Sequence, residues 1–420
     1  MNISPSAPSI TPPLKKPDAS RFIRGCLFPL IAALSTNPLW AQTPPLLKGV
    51  NLSHWLTYEG RQPISQRDMN MIKAHGFDHI RIPFNPHNLG WTLDRAKDLK
   101  PLPFERLDAA IRLGIEAGLN VIIDFHPEEA LKQQIEEDPT VRRNFIAAWS
   151  QIARHYATWP EQRLAFEPLN EPQFWGSDNP EGWISLRADI LKSIRKQDLK
   201  HLILLSGFHG GGVEGLLQTP PLEDPLILYT FHYYDPQLLT HLGATWEPYS
   251  SNVNSMFSGL RYPSDQNKDE NILLNDSGHS HRYLVNLAIQ DYEAQNWGYD
   301  RILKDIQRVS RWATDHRVSV ICNEFGIARF AVEPKTRAAW LHDVSTALES
   351  QAMGWTVWDY ADVFGISALL KDQRLTADGV EIPINGKPPY RAFIEEDLSA
   401  LIKPIASVKT PAQKFEPQDQ

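Results

Sequence analysis

Glu171, in Phe166-Glu167-Pro168-Leu169-Asn170-Glu171-Pro172, and Glu324, in Val320-Ile321-Cys322-Asn323-Glu324-Phe325-Gly326, each close a short apolar run and stand far apart along the chain. An apolar run of strand length that stops at a carboxylate, with Pro or Gly just beyond, reads as a buried strand whose last side chain emerges into a cleft. Two such strands can set a general acid and a nucleophile face to face. Other polar residues recur at equivalent places: Arg81 in His79-Ile80-Arg81-Ile82-Pro83-Phe84, His126 in Asp124-Phe125-His126-Pro127, and Asn170 beside Glu171. His232 and Tyr234 in Phe231-His232-Tyr233-Tyr234-Asp235-Pro236, and Trp358 in Trp355-Thr356-Val357-Trp358-Asp359-Tyr360, extend the series. Independent structural accidents would not all fall at the same end of a set of strands.

The elements that must position these residues alternate in type from about residue 46 to residue 402. Strands are expected at 46–53, 77–83, 120–126, 163–171, 201–208, 226–234, 318–326 and 354–360. Between them lie amphipathic stretches such as 104–118, 141–159, 183–196, 299–316 and 336–350, with apolar residues at three- and four-residue spacing. The fifth helix, at 213–217, carries the weakest pattern. Eight strands alternating with eight helices make an α/β chain of the (β/α)8 barrel class. A connection of about sixty residues, from Asp235 to Trp297, leaves the sixth strand at the end where such barrels place their active sites, and is expected to form one wall of the cleft.

Composition narrows the function classes. With 420 residues and 42% hydrophobic content the chain can bury a large core. A formal charge of −8, with acidic and basic residues mixed throughout, supplies no basic stripe for a phosphate backbone, so nucleic acid is not an expected partner. Thirteen Trp and twelve Tyr offer planar faces that suit core packing and the stacking of sugar rings. Lys15, Lys16, Arg21 and Arg24 precede the apolar run 26–34, and Ala41-Gln42 follows, which reads as a signal peptide over residues 1–41 and an exported protein, secreted or periplasmic. The run is too short, and too interrupted by Pro29, to span a bilayer. Cleavage after Ala41 would remove Cys26 and leave Cys322 alone inside an apolar strand, a small buried hydrophobe rather than a nucleophile. Zinc-type Cys/His spacings do not occur, so no metal and no cofactor is expected. Residues 42–403 then form the catalytic domain, and the polar, Pro-containing 404–420 a disordered tail. A monomer is expected.

The set of strand-end residues resembles the pattern of glycoside hydrolase family 5, within the clan of retaining (β/α)8 glycosidases whose catalytic Glu residues stand on strands four and seven. The resemblance spans roughly residues 46 to 400. All eight positions of the shared pattern have a match: Arg81, His126, Asn170, Glu171, His232, Tyr234, Glu324 and Trp358. It implies that Glu171 is the acid/base and Glu324 the nucleophile. Retaining cleavage of a glycosidic bond fits those roles, since one carboxylate attacks the anomeric carbon while a protonated partner about 5 Å away donates to the leaving oxygen. Arg81 is expected to hold Glu324 ionised, and burial with the nearby negative charge to keep Glu171 protonated. Asn170 is placed for the sugar's 2-hydroxyl, Tyr234 for a donation to the nucleophile, and His126 and His232 for orienting carboxylates and sugar. Trp358 is expected to floor the subsite of the cleaved sugar. Trp175, Trp246, His54 and Trp55 are candidates for lining the cleft, while Asp235 and Asp359 receive no role. The resulting expectation is a secreted retaining β-glycoside hydrolase acting on a β-linked polysaccharide or oligosaccharide, foremost an endo-β-1,4-glucanase. A β-mannanase or β-1,3-glucanase of the same family, an intracellular enzyme for small glycosides and a non-catalytic carbohydrate-binding barrel are the other readings.

Overall fold

A computed structural model describes residues 46–402 apart from 54, 58–63, 94–98, 174–180, 246–250, 268–270, 330, 370–373, 376–380 and 383–390. The segments 1–41 and 404–420, and the side chains of His54, Trp175 and Trp246, lie outside the described residues. Eight strands close into a barrel: β1 (Lys48–Asn51), β2 (His79–Phe84), β3 (Asn120–Phe125), β4 (Leu164–Glu167), β5 (Leu202–Ser206), β6 (Ile227–Tyr233), β7 (Ser319–Phe325) and β8 (Gly354–Val357). Each pairs in parallel with its sequence neighbours, and β1 closes against β8. The outer ring is formed by α1 (Gln66–Ala74), α2 (Glu105–Glu116), α3 (Pro139–Tyr156), α4 (Glu181–Arg195), α5 (Val213–Leu217), α6 (Tyr299–His316), α7 (Pro334–Ser350) and α8 (Glu395–Leu401). The expected (β/α)8 barrel is therefore the observed fold.

Alternation along the strands sorts the core into two parts. Val50, Ile80, Ile82, Val121, Ile123, Phe166 and Phe231 face the helices and join the large apolar cluster between sheet and helices. A second cluster holds Leu46, Ile122, Ala165, Leu202, Leu204 and Ile321, with Leu228 against it, and fills the lower barrel. Above it the inward positions turn polar: Asn51, Arg81, Asp124, Glu167, Thr230 and Asn323 are all 0–1% exposed. Such a layer is tolerable only if its members satisfy one another.

Three local features decide where the carboxylates end up. Strand β4 stops at Glu167, because Pro168 has no N–H for the ladder. Glu171 thus stands past the strand rather than as its last residue, with φ +44, a left-handed conformation that costs an L residue about 1–2 kcal/mol. On β7 the register slips by one residue against both neighbours: Phe231 pairs with Cys322 but His232 with Glu324, and Trp355 with Cys322 but Val357 with Phe325. Asn323 is the extra residue of this bulge, so Asn323 and Glu324 both serve the barrel interior where strict alternation would expose one of them to the helices. Just beyond, a Cβ at Gly326 would lie 2.1 Å from the carbonyl oxygen of Trp358, so only glycine lets the ends of β7 and β8 approach this closely.

The long connection after β6 is a small folded subdomain in its described part. It comprises helices Gln237–Thr240, Ser251–Asn254, Asp276–Ser280 and Arg282–Ala294, and an antiparallel pair, Phe257–Ser258 with Leu273–Leu274. Tyr262 ties it to α7 by donating to Asp343 at 2.7 Å.

Candidate active site

The barrel's upper layer is organised around Arg81, which is fully buried. Its Nε and Nη2 donate to Glu167 at 2.7 and 2.8 Å. Nη2 also donates to Asn170 Oδ1 at 2.8 Å and lies 3.0 Å from Asp124 Oδ2. Nη1 reaches Glu324 Oε1 at 2.7 Å and Asn51 Oδ1 at 3.0 Å. Burial alone would lower the guanidinium's pKa, but the carboxylates of Asp124, Glu167 and Glu324 outweigh it and raise it well above the ordinary value. Asn323 completes the layer by donating to Glu167 at 2.9 Å while Thr230 donates to its side-chain oxygen.

Glu171 and Glu324 converge above this layer. One oxygen of each, together with a ring nitrogen of His232, all lie within 4.8 Å of one another. His232 Nδ1 is 2.8 Å from Glu171 Oε1 and 3.2 Å from Glu324 Oε2, so one imidazole proton bridges the two acids. Tyr234 donates to Glu324 Oε2 at 3.0 Å. Burial and the neighbouring carboxylates push its phenol far up, so it remains a donor. The side chain of Glu171 is 29% exposed and that of Glu324 only 5%, so the first opens to water and the second is enclosed.

The proton's resting place differs from the sequence expectation. Burial raises the Glu171 carboxyl, but the hydrogen bond and charge of His232, helped by Lys132, overcome it and hold the group down at about 2. His232 moves the other way: burial lowers it, yet Glu324 and Glu171 raise it above the usual histidine range. The pair therefore holds its single proton on the ring. Glu171 is an acid only when that proton crosses 2.8 Å to it. The expected negative charge beside Glu171 is present, but it favours protonating the histidine between the carboxylates rather than the carboxylate itself.

His126 Nδ1 lies 2.8 Å from Asp124 Oδ2, and its Nε2 accepts from Asn170 at 3.2 Å. Burial drives this ring down to about 3, so it is neutral. The half-buried Trp358 lies nearly parallel to it, 5.8 Å between centroids and 17° between planes. All eight residues of the sequence pattern thus gather in one place. Trp55 is 8% exposed and belongs to the large apolar cluster, so most of its surface is given to packing. Asp359 is buried and bonded to Ser53 and to the amide of Asp362, a structural tie between β1 and the loop after β8. From the long connection, His241 packs on Tyr234 at 5.2 Å and Thr240 donates to the Tyr234 carbonyl at 2.6 Å, so that segment backs the donor to Glu324.

The site also contains residues to which sequence reasoning gave no role: Glu167, Asp124, Asn51 and Asn323. Asp124 and Glu167 are register partners across β3 and β4 and share the parity of the inward Ile122 and Ala165. That parity was a readable signal. Glu171, His232 and Glu324 also have the donor types and spacing of a cation site. Arg81 and a raised His232 beside them disfavour a further positive charge.

A family model described as Cellulase (glycosyl hydrolase family 5) matches residues 41–363, most of the chain. The chain belongs to the cellulase family, a family of glycoside hydrolases. Among similar proteins, Endoglucanase 3 of Fibrobacter succinogenes is 26% identical over 353 residues, covering 79% of this chain and 52% of that protein, so the chain spans about half the length of that relative. Endoglucanase C of Acetivibrio thermocellus is 24% identical over 325 residues, 74% of this chain and 90% of that protein. The barrel is shared with solved structures. The endoglucanase Cel5A of Thermotoga maritima superposes with a TM-score of 0.64 at 23% identity, covering 87% of this chain and 99% of that one. The cellulose synthase subunit Z of Clostridioides difficile gives 0.64 at 22%, covering 86% and 100%.

Proposed function

We propose that this family 5 protein is a retaining endo-β-1,4-glucanase in which Glu324 is the nucleophile and Glu171 the acid/base. The observation that carries the reading is the 4.8 Å limit between their oxygens. Retaining glycosidases hold the two carboxyl groups roughly 5–5.5 Å apart, whereas inversion needs about 6.5–9.5 Å to admit a water. Glu324, enclosed and paired with Arg81 and Tyr234, attacks the anomeric carbon as the glycosidic C–O bond breaks. Glu171 takes the bridging proton from His232 and gives it to the leaving oxygen. Glycosylation consumes the charge on Glu324, and Glu171, which faces solvent, then removes a proton from the incoming water. The relatives named endoglucanase, within the cellulase family, support a β-glucan as substrate. Trp358 offers a ring face to the sugar at the cleavage point.

The test is to follow reducing ends and anomers on carboxymethylcellulose, mannan and laminarin. Fastest turnover on carboxymethylcellulose, with the β-anomer formed first, is expected. Faster cleavage of mannan or laminarin would overturn the substrate, and first release of the α-anomer would overturn the mechanism. Export is part of the same proposal, supported by the basic and apolar N-terminal segment. The mature chain is expected to begin after Ala41, and an intact Met1 in protein recovered from the source cells would refute it.

The bridging proton gives a pH prediction. Since Glu324 and Glu171 raise His232 above the ordinary histidine value, the reactive pair keeps its proton to higher pH than a free histidine would, and the basic limb of kcat/KM should lie correspondingly higher. In His232→Gln the proton sits on the Glu171 carboxyl alone. The basic limb is then expected to move to lower pH by about one unit or more. A basic limb that stays in place would show that the ring does not carry the acid's proton.

A further inference from the structure

We propose that Asp124 is a positioning residue that acts through His126 to fix the amide of Asn170, and thereby sets how strongly the site holds the 2-hydroxyl of the sugar being cleaved. The inference rests on the reading of Glu171 and Glu324 as a glycosidase pair.

The argument starts from a group with only one possible role. A guanidinium only donates. Arg81 Nη2 lies 2.8 Å from the Asn170 amide, so the atom facing it is the carbonyl oxygen and the amide nitrogen lies on the other side. That nitrogen is 3.2 Å from His126 Nε2. An amide nitrogen also only donates, so Nε2 carries no proton. A neutral imidazole then has its proton on Nδ1, 2.8 Å from Asp124 Oδ2. The carboxylate, an acceptor, closes the chain. Arg81 at one end and Asp124 at the other leave a single arrangement for the two groups between them.

One N–H of Asn170 is committed to His126, and the second has no protein partner among the described residues. It is the donor available to a sugar hydroxyl beside Glu171, the contact that strengthens as the oxocarbenium character develops. Asp124 is fully buried and its Oδ1 has no hydrogen-bond partner among the described residues, so one oxygen alone serves both Arg81 and His126. Asp124→Leu keeps the approximate shape but leaves the Nδ1–H of His126 with no acceptor. Moving the ring proton to Nε2 to escape that loss sets it against the Asn170 N–H. Turning the Asn170 amide over relieves that clash only by setting its N–H against Arg81. Every arrangement loses a bond, and the second N–H of Asn170 is no longer held in place.

The experiment compares an aryl β-cellobioside with its analogue lacking the 2-hydroxyl on the ring whose bond breaks. The wild type is expected to favour the parent by about a hundredfold or more in kcat. Asp124→Leu is expected to slow the parent by about a hundredfold while changing the 2-deoxy substrate about threefold or less, with KM little altered in both. In an Asn170→Ala background Asp124→Leu should leave the ratio of the two substrates unchanged. If Asp124→Leu does not fold, His126→Leu, which removes the acceptor but leaves Arg81 paired with Asp124, must collapse the same ratio. Equal slowing of both substrates would overturn the proposal and leave Asp124 as a counter-charge to Arg81. Glu324→Ala on the parent substrate separates the two levels. If it retains wild-type turnover, the glycosidase reading fails. If it is inactive and the ratio in Asp124→Leu is unmoved, only the positioning role fails.

Discussion

Replacing Glu324 with Ala is expected to lower kcat/KM on a β-1,4-glucan by about 10⁵-fold, the scale of losing a covalent nucleophile. The fold should survive, because Arg81 retains Glu167 and Asp124 as partners. The position of the cavity gives a sharper readout than the loss itself. With a glycosyl fluoride, whose leaving group needs little acid help, azide entering where Glu324 stood attacks from that side and yields the α-glycosyl azide. Glu171→Ala leaves the nucleophile in place, so the glycosyl-enzyme forms and azide attacks it from the Glu171 side, yielding the β-azide. Opposite products from the two variants would place the carboxylates on opposite sides of one anomeric carbon. Turnover within tenfold of the wild type in Glu324→Ala, or a β-azide from it, would remove Glu324 from that role.

The barrel and the eight gathered residues were legible because they rest on patterns that local physics enforces. Apolar strand runs between amphipathic helices specify the class. A carboxylate or ring next to Pro or Gly at a run's end specifies the rim. What sequence missed had a different origin. Strand β4 was read as running to Glu171, but the imino nitrogen of Pro168 ends the ladder at Glu167, and the acid sits on a left-handed residue beyond it. Period-two alternation cannot reveal the bulge at Asn323, which depends on the register of β7 against β6 and β8. The proton on His232 was equally out of reach, since it depends on two carboxylates, one just past β4 and one on β7, both lying within 3.2 Å of one nitrogen. Trp55 shows the converse limit. A Trp that follows a barrel strand has the right address for a cleft, and only the fold shows that most of its surface joins the apolar cluster.

Arg81 joins stability to chemistry, and removing it should damage both. Arg81→Met has similar reach but leaves Asp124, Glu167 and Glu324 around a buried apolar side chain. Losing one partner of a buried ion pair costs about 3–5 kcal/mol, so the melting temperature at neutral pH is expected to fall by roughly 5 °C. The loss should depend on pH in a defined sense. Burial already raises Asp124 to about 6, with Arg81 the main opposing charge, and Glu167 is likewise raised by burial against Arg81. Without the cation both rise further. An acid whose folded pKa exceeds its unfolded value binds more protons when folded, so stability falls as pH rises between the two values and the penalty is complete above the folded one. The variant should therefore lie closer to the wild type at pH 5 than at pH 8. Adding Glu167→Leu to Arg81→Met is expected to recover part of the loss, because it removes the carboxylate that the guanidinium held by two bonds. A pH-independent change, or a double variant weaker than the single by the full cost of Glu167→Leu alone, would mean that the polar layer is held by packing rather than by its central charge. Equal melting temperatures for Arg81→Met and the wild type would mean the same.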